Sequence, residues 1–396
     1  MAITNKETGV WGLDQVYNKI NQGSIWEYNA PRLLYTAGQN DAGELGQNLS
    51  YADKRSSPVQ LPGTNWKYVD SNNTDDGYCM ALKTDGTLWG WGRNENGEQG
   101  RNDTVYRSSP TQVGSDTTWS QVTTCGRQDG CIATKTDGTL WAWGHNEQGR
   151  LGLNQSAPTK ISSPTQVGSD TTWPTEDHKI DGDGARGAAI KTDGTLWMWG
   201  KGSNQGQLGQ NERVSYSSPV QVGTDSTWKY IKLNEDGNMA TKTDGTLWAW
   251  GYSASGELAL NNLTSYSSPT QIPGSTWDYI DLNWSMGMGT KTDGTLWVWG
   301  NNDSGNLGQN SNIKYSSPVQ VPGTSWRGPV NADKTVFCPR TDDTMWGWGN
   351  NLYGRLGIIK APATNFNYYS SPIQIPGGYT SVVTGSPGFA AFLKVQ

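Results

Sequence analysis

The side chains best suited to catalysis or metal binding are few and scattered in this sequence. The chain has only two histidines, His145 and His178. His178 lies near Asp181 and Asp183, and these residue types together could ligate a metal ion. We favour a turn for residues 181–184, because the run lacks the further acceptors and the closing Glu of a calcium loop. His145 follows a Trp-Gly pair and is expected in a solvent-facing loop.

The cysteines give no sign of a reactive centre either. Cys79, Cys125, Cys131 and Cys338 form neither a CxxC pair nor a zinc-type spacing. We expect reduced thiols, with Cys79 and Cys131 as small core residues at equivalent positions. The sequence has no P-loop, no GxSxG and no HExxH motif. It therefore predicts no catalytic residue, no metal site and no cofactor, and an enzyme is the least favoured class.

Charge and hydropathy exclude two further classes of partner. The net charge is −6, and the basic residues are dispersed along the chain, which argues against binding to nucleic-acid phosphates. The first residues lack the apolar core of a signal peptide. No apolar run is long enough to cross a bilayer. We therefore expect a protein made in the cytoplasm, with no membrane insertion.

A segment of the form Lys-Thr-Asp-Gly-Thr-Leu-Trp-x-Trp-Gly recurs through most of the chain. Copies begin at Lys83, Lys135, Lys191, Lys242 and Lys291, and a divergent copy begins at Arg340. A second marker, Ser-Ser-Pro, recurs at intervals of about 50 residues, with its prolines at positions 58, 110, 164, 219, 269, 318 and 372. A Trp follows six of these markers, and Tyr379 follows the seventh. The pattern indicates seven structural units.

Each unit is expected to contain four short β-strands. The two Trp of the WxW pair lie at i and i+2, so they face the same side of a strand. Thr-Asp-Gly joins this strand to the preceding apolar run in a hairpin. Ser-Ser-Pro begins an edge strand, and the following Trp begins another. Seven units of four strands predict an all-β, seven-bladed propeller with antiparallel blades.

The WxW pairs account for much of the unusual Trp content, which is 21 residues. We interpret them as structural side chains that pack within and between blades. The twelve residues are Trp89, Trp91, Trp141, Trp143, Trp197, Trp199, Trp248, Trp250, Trp297, Trp299, Trp346 and Trp348.

The two ends of the repeat region each supply part of one unit. Residues 389–394 match residues 79–83, but the Thr-Asp-Gly-Thr-Leu-Trp that should follow is missing. Residues 31–38 lie where a Leu-Trp-x-Trp-Gly strand would be. We predict that these two segments pair, so that the ring closes and exposed edge strands are removed.

Residues 31–396 resemble the regulator-of-chromosome-condensation repeat family. The resemblance rests on Asp-Gly-Thr-Leu-Trp-x-Trp-Gly followed by Asn-x-x-Gly-x-Leu-Gly, as at residues 40–46 and 302–308, with the end of the motif also at 205–209. It implies a seven-bladed propeller that acts as a protein-binding platform. The residues by which family members act as nucleotide-exchange factors cannot be assigned in this sequence. Its usual His in His-Thr-Leu-Ala-Leu is replaced at Tyr78, Gly130, Gly187, Asn238, Gly287 and Phe337 or its neighbour.

Residues 1–30 lie outside the repeats and are expected to form a separate N-terminal arm with a short helix. Val10, Leu13, Tyr17 and Ile20 fall at helical spacing. The arm either folds back over one propeller face or docks to a larger assembly. In the second case its partner-binding residues are Val10, Trp11, Leu13, Tyr17, Ile20 and Trp26. The segment resembles a short motif of structural proteins from marine bacteriophages.

Two functions remain open. The first is a non-enzymatic bacteriophage virion component, either a capsid decoration or a tail or fibre protein, which docks to other virion proteins through the arm. The alternative is a soluble propeller that binds a protein, a host receptor or a glycan through variable loops on one face. The irregular segments 72–78, 174–186 and 283–288 are the candidate loops. The first hypothesis predicts location in the virion.

Overall fold

The fold is a closed ring of β-sheets in a computed structural model. The structure describes residues 32–50, 53–72, 77–126, 130–155, 160–203, 205–283, 285–332, 334–351, 356, 358, 368–377, 379, 381–384 and 389–395. The predicted arm and its docking residues lie outside these ranges. Among the described residues, no helix is long and apolar enough to cross a bilayer.

Seven four-stranded antiparallel sheets form the described part of the ring. The first blade consists of β1 (Arg32–Gly38), β2 (Arg55–Gln60), β27 (Ser381–Thr384) and β28 (Phe389–Val395). The second consists of β3 (Trp66–Ser71), β4 (Tyr78–Lys83), β5 (Leu88–Gly92) and β6 (Arg107–Gln112). The third consists of β7 (Trp119–Thr124), β8 (Gly130–Lys135), β9 (Leu140–His145) and β10 (Lys160–Gln166), with a 3₁₀ turn at Glu147–Gly149.

The remaining four blades follow in chain order. The fourth consists of β11 (Ile180–Gly182), β12 (Arg186–Ile190), β13 (Leu196–Gly200) and β14 (Tyr216–Gln221). The fifth consists of β15 (Trp228–Leu233), β16 (Gly237–Lys242), β17 (Leu247–Gly251) and β18 (Tyr266–Ile272). The sixth consists of β19 (Trp277–Asn283), β20 (Met286–Lys291), β21 (Leu296–Gly300) and β22 (Tyr315–Val321). The seventh consists of β23 (Val330–Ala332), β24 (Thr335–Pro339), β25 (Met345–Asn350) and β26 (Tyr368–Ile375).

In each complete blade, the first strand lies at the ring axis and the following strands lie successively further out. The first strands of successive blades contact one another around the axis, and β27 contacts β3 to complete the circle. The Ser-Ser-Pro strands are outermost in every sheet, which suits a residue that cannot donate a ladder hydrogen bond. The predicted seven-bladed propeller with four-stranded blades is confirmed.

The first blade is assembled from both ends of the repeat region, as predicted. All seven residues of β1 pair with β28, from Arg32 opposite Val395 to Gly38 opposite Phe389. Tyr35 takes the place of the first Trp of a WxW pair, and its ring lies 5.7 Å from that of Tyr379 in an edge-to-face arrangement. The sheet therefore leaves no unpaired edge at the junction of the two ends.

The strands divide the ring into two faces. The hairpin face carries the turns between the second and third strands, as at residues 84–87. The loop face is the opposite side and carries the connections after the first and third strands, as at residues 183–185 and 93–106. Because β1 runs in the same direction as the other third strands, Arg32 lies at the hairpin face.

Adjacent blades are joined by the same two contacts six times. The second Trp of each WxW pair donates its indole N–H to a backbone carbonyl of the preceding blade at 2.8–2.9 Å. An Asn of each loop donates its backbone N–H to a Ser carbonyl in the outermost strand of the next blade at 2.6–2.9 Å. These residues are Asn48, Asn102, Asn154, Asn211, Asn261 and Asn310, all with φ between 53° and 58°. Asn tolerates this left-handed conformation better than most residues.

The register corrects one alignment made from the sequence. The residues opposite the second Trp are Cys79, Cys131, Gly187, Asn238, Gly287 and Val336. In the sequence alignment, Tyr78 and Gly130 were matched with Gly187. In the structure, the residues equivalent to Gly187 are Cys79 and Cys131, which follow them by one position. The opposing site is tight, since a Cβ on Gly187 would lie 2.4 Å from the Trp199 ring.

Candidate functional site

The hairpin face repeats one polar arrangement in six blades. In the second blade, Asp85 accepts hydrogen bonds from the backbone N–H and the hydroxyl of Thr87 at 3.0 and 2.7 Å. The Thr87 hydroxyl oxygen in turn accepts the Trp89 indole N–H at 2.8 Å. This chain fixes the first Trp of the WxW pair, which is half-buried, whereas the second Trp is fully buried. Asp-Gly-Thr in the repeat is thus turn chemistry, as predicted.

A cation lies between two indole rings in each of these blades. The basic residue that begins the repeat packs over the first Trp of the WxW pair and over the Trp that begins or precedes the innermost strand. The distances from the cationic group to the ring centroids are 3.8–4.9 Å, within the range for cation–π attraction. The cations are Lys83, Lys135, Lys191, Lys242, Lys291 and Arg340.

Three of the six cations also have a carboxylate partner. Lys135 pairs with Asp116 at 2.7 Å, Lys242 pairs with Asp225 at 2.5 Å, and Lys191 pairs with Asp170. Burial alone would raise the pKa of each carboxyl, but the hydrogen bonds from the lysine and from a nearby Thr outweigh it and lower the pKa to about 2. These three carboxylates stay ionised over the physiological pH range.

The other three cations have no carboxylate partner among the described residues. Lys83, Lys291 and Arg340 contact the two indoles, but they form no ion pair with a described side chain. All three are only partly buried. The hairpin face therefore has two kinds of cation site, one neutralised within the chain and one not.

A second charged cluster lies on the propeller axis. Lys232 Nζ lies 3.5 Å from Asp181 Oδ1 and 3.9 Å from Asp281 Oδ1. Asp181 accepts the Leu233 N–H at 2.6 Å, and Asp70 accepts the Thr124 N–H at 2.8 Å. Each bond joins neighbouring blades, so the cluster stabilises the ring from inside. A cavity of about 20 Å³ beside Thr123 and His178 has room for about one water molecule.

His178 and Asp183, which were considered as metal ligands, contact other groups. His178 points to the rings of Tyr230 and Tyr279, at 5.9 and 5.1 Å. Asp183 instead caps the turn before Arg186 and binds that guanidinium, with Arg186 Nε 2.8 Å from Asp183 Oδ2. In the described part of the chain, no group of His, Cys, Asp or Glu side chains is arranged to hold a metal ion.

His145 is placed differently from the expectation. It is the last residue of β9, opposite Lys160, and it is half-buried rather than in a solvent-facing loop. The four thiols are free and buried, as expected for core residues. Burial raises the pKa of each thiol, so none is activated as a nucleophile.

The buried carboxyls predict an unusual pH dependence of stability. Burial raises the pKa of Glu44 to about 7 and that of Asp181 to about 6. Both folded-state values exceed the ordinary ones, so the folded protein binds more protons and gains stability as the pH falls. Burial, and then Lys232, lower the pKa of His178 to about 4, which opposes this gain below pH ~6.5. We expect the free energy of unfolding to rise by about 2 kcal/mol from pH 8 to pH ~5.

Urea denaturation across this pH range measures the effect. Glu44→Gln removes one of the two titrating carboxyls and is expected to flatten the rise, most clearly between pH ~6 and 8. Stability that falls steadily on acidification, or a Glu44→Gln variant with an unchanged pH profile, would show that these carboxyls do not titrate as described.

In four blades, the loop face exposes an aliphatic side chain at a similar place. The residue lies two or three positions before the outermost strand begins. Four such residues are more than half exposed: Val105 at 56%, Val214 at 52%, Leu263 at 62% and Ile313 at 61%. These four are the most exposed large hydrophobic side chains of the described residues.

The candidate loops are only partly described. Segment 72–78 includes residues 73–76, and segment 283–288 includes residue 284, all of which lie outside the described ranges. Segment 174–186 spans both faces. The Pro174 carbonyl accepts a hydrogen bond from Gln121 Nε2 at 3.0 Å near the hairpin face, whereas Asp183 and Arg186 form a turn on the loop face. Within segment 174–186, only the turn around Asp183 and Arg186 can therefore belong to a binding surface on the loop face.

Four segments of the chain match a known repeat family. Residues 85–129, 137–174, 193–233 and 293–331 match the regulator of chromosome condensation (RCC1) repeat. The ultraviolet-B receptor of Arabidopsis thaliana is 26% identical over 60% of this chain and 53% of the receptor. The probable E3 ubiquitin-protein ligase HERC3 of Homo sapiens is 28% identical over 36% of this chain and 13% of the ligase. The chain spans about half of the receptor's length and much less of the ligase.

Solved structures share the whole ring. Human WBSCR16 superimposes with a TM-score of 0.77 at 18% identity, over 91% of this chain and 98% of that one. Prp20p from Saccharomyces cerevisiae superimposes with a TM-score of 0.79 at 17% identity, over 93% of this chain and 92% of that one. At these identities the likeness is one of fold. The chain is therefore a seven-bladed β-propeller, four segments of which match the regulator of chromosome condensation repeat.

Proposed function

We propose that this propeller is a protein-binding module that contacts its partner through the loop face. The observation that carries the proposal is the set of exposed aliphatic side chains at equivalent places in four blades. Water-exposed Val, Leu and Ile give up apolar surface favourably when a partner covers them. Spread around the rim, they suit a broad protein surface better than a small molecule.

The relatives support a binding role. The structural report on Prp20p names binding to Gsp1p and histones, and its fold covers nearly all of this chain. The ligase activity of HERC3 is not transferred, because the matched region covers only 13% of that protein.

The bacteriophage hypothesis rests on the N-terminal segment and stays a prediction, as does location in a virion. Glycan binding through the loops also stays a prediction.

Surface variants test the loop face directly. A variant with Val105→Ser, Val214→Ser, Leu263→Ser and Ile313→Ser removes the exposed aliphatic groups without touching the blade interfaces. We expect partners recovered by quantitative affinity purification from the source cells to fall by about tenfold, because several interface contacts of about 0.5 kcal/mol or more are lost together.

A matched control replaces four exposed polar residues on the opposite face: Thr84→Ser, Thr136→Ser, Thr192→Ser and Thr243→Ser. This variant should recover the same partners as the unchanged protein. Equal recovery by the aliphatic variant and the unchanged protein would exclude the loop face as the binding surface.

A further inference from the structure

We propose that the hairpin face carries a second docking site, in which Lys83, Lys291 and Arg340 bind carboxylates of an acidic segment of a partner protein. The site is separate from the loop face and does not depend on the function proposed for it. The proposal rests on a comparison between blades of the same chain, which share the cation and both indoles but differ in one connection.

That connection joins the outermost strand of one blade to the innermost strand of the next. In the three neutralised blades it has the form Gly-x-Asp-x-Thr, and the Asp reaches the lysine. In the blades of Lys83, Lys291 and Arg340 it is Pro-Gly-x-x, one residue shorter and without an acidic residue. In three blades, the carboxylate of an Asp in this connection therefore neutralises the cation. In the other three blades, the connection has no such carboxylate.

The shorter connection brings a glycine near the cation instead of a carboxylate. A Cβ on Gly63 would lie 3.6 Å from Lys83 Nζ, and a Cβ on Gly274 would lie 3.8 Å from Lys291 Nζ. Both glycines have positive φ, 92° and 105°. The small residue leaves the partly exposed ammonium open on the side where Asp116 contacts Lys135 in the third blade.

The side chains of these three cations are more preorganised for binding an anion than those of ordinary surface lysines. A surface ion pair contributes little to stability, largely because a flexible side chain must be ordered to form it. Here the lysine or arginine is already held between two indoles, at 4.2–4.9 Å from the ring centroids. The entropy cost of binding a carboxylate is correspondingly smaller.

The three open sites lie on one side of the ring. The blades of Lys291 and Arg340 are consecutive, and only the split blade separates them from the blade of Lys83. The three neutralised blades occupy the other side. A single acidic segment that runs along this side can contact several sites at once, which raises the overall affinity above that of each contact.

A carboxylate-bearing protein suits the surface better than a nucleic acid. The net charge of the chain is −6, and each hairpin tip beside a cation presents an Asp, as at Asp85 and Asp293. These carboxylates repel any anion, but a continuous phosphate backbone has to run past every one of them, whereas an acidic segment carries its charges at spaced side chains. Separate carboxylate side chains can reach the cations between them.

The test measures binding of a short peptide of alternating Glu and Gly to the full chain by calorimetry and by the change in Trp fluorescence. The matching Gln–Gly peptide and a single-stranded oligonucleotide are the comparison ligands. We expect the Glu peptide to bind, and the variant Lys83→Gln, Lys291→Gln, Arg340→Gln to bind it about tenfold more weakly.

Two further variants separate the site from the overall charge. Lys160→Gln, Lys201→Gln and Arg213→Gln change the net charge equally, but at exposed residues away from the hairpin face, and should leave binding unchanged. Replacing residues 62–65, 273–276 and 322–325 each by Gly-Ser-Asp-Thr-Thr keeps every cation but supplies an internal carboxylate, and should also abolish binding. The proposal is overturned if the Glu peptide does not bind, if the charge control weakens binding as much, or if the oligonucleotide binds more tightly than the peptide.

Discussion

Replacing Trp199 with Ala is expected to lower the free energy of unfolding by about 3–5 kcal/mol. The Trp199 side chain is fully buried and packs with Cys125, Leu151 and Ile180 between two blades. Its indole N–H also donates a 2.9 Å hydrogen bond to the Arg150 carbonyl of the preceding blade. The substitution leaves a cavity at a blade interface and a buried carbonyl without its donor, which add to the loss.

The matched control is the other Trp of the same strand. Trp197 is half-buried, lies over Lys191 at 4.0 Å and donates to Thr195 on the hairpin face. Trp197→Ala should cost only about 1–2 kcal/mol, because less apolar surface is lost and no blade interface is opened. Urea denaturation followed by circular dichroism measures both. Similar losses for the two variants would contradict the assignment of the second Trp to the blade interface.

Removing residues 389–396 is expected to abolish cooperative unfolding of the ring. The deletion takes away β28, whose seven residues pair with β1, and the buried Phe392, which lies 5.7 Å from Phe337 of the adjacent blade. The loss should reach about 5 kcal/mol or more, which is comparable to the whole stability of many domains. It would also leave β1 as an unpaired edge strand, which promotes aggregation.

A synthetic peptide with the sequence of residues 389–396 provides the control. If closure depends on this strand, the peptide added in trans should restore a cooperative thermal transition, and a scrambled peptide of the same composition should not. A truncated chain that unfolds as cooperatively as the full chain would show that the split blade does not hold the ring together.

The architecture could be predicted because the repeat is nearly uniform. Seven Ser-Ser-Pro markers gave the number of blades, and the WxW spacing gave the strand in which each Trp pair lies. The pairing of residues 31–38 with residues 389–394 followed from counting which parts of a repeat were missing at each end. Each of these inferences used the spacing of residues along the chain, which can be read from the sequence without knowing any tertiary contact.

The two charged sites could not be predicted in the same way. Lys83 and Trp66 are 17 residues apart in the chain, and they become neighbours only when β3 pairs with β4, with a register shift between Trp66 and Tyr68. Lys232 and Asp181 come from different blades and meet only because the innermost strands converge on the axis. The change from Gly-x-Asp to Pro-Gly in the connection was visible in the sequence, but its meaning required the position of the cation.

Crosslinking mass spectrometry on the intact protein in extracts of its source cells tests the binding role most directly. Lys201, Lys314 and Lys334 lie on the loop face and are exposed or half-exposed, so they can react with an amine-specific crosslinker. The proposed function predicts reproducible crosslinks from these lysines to the same partner protein. A partner that crosslinks only to other surfaces, with none from these three lysines, would contradict the claim that the loop face is the binding surface.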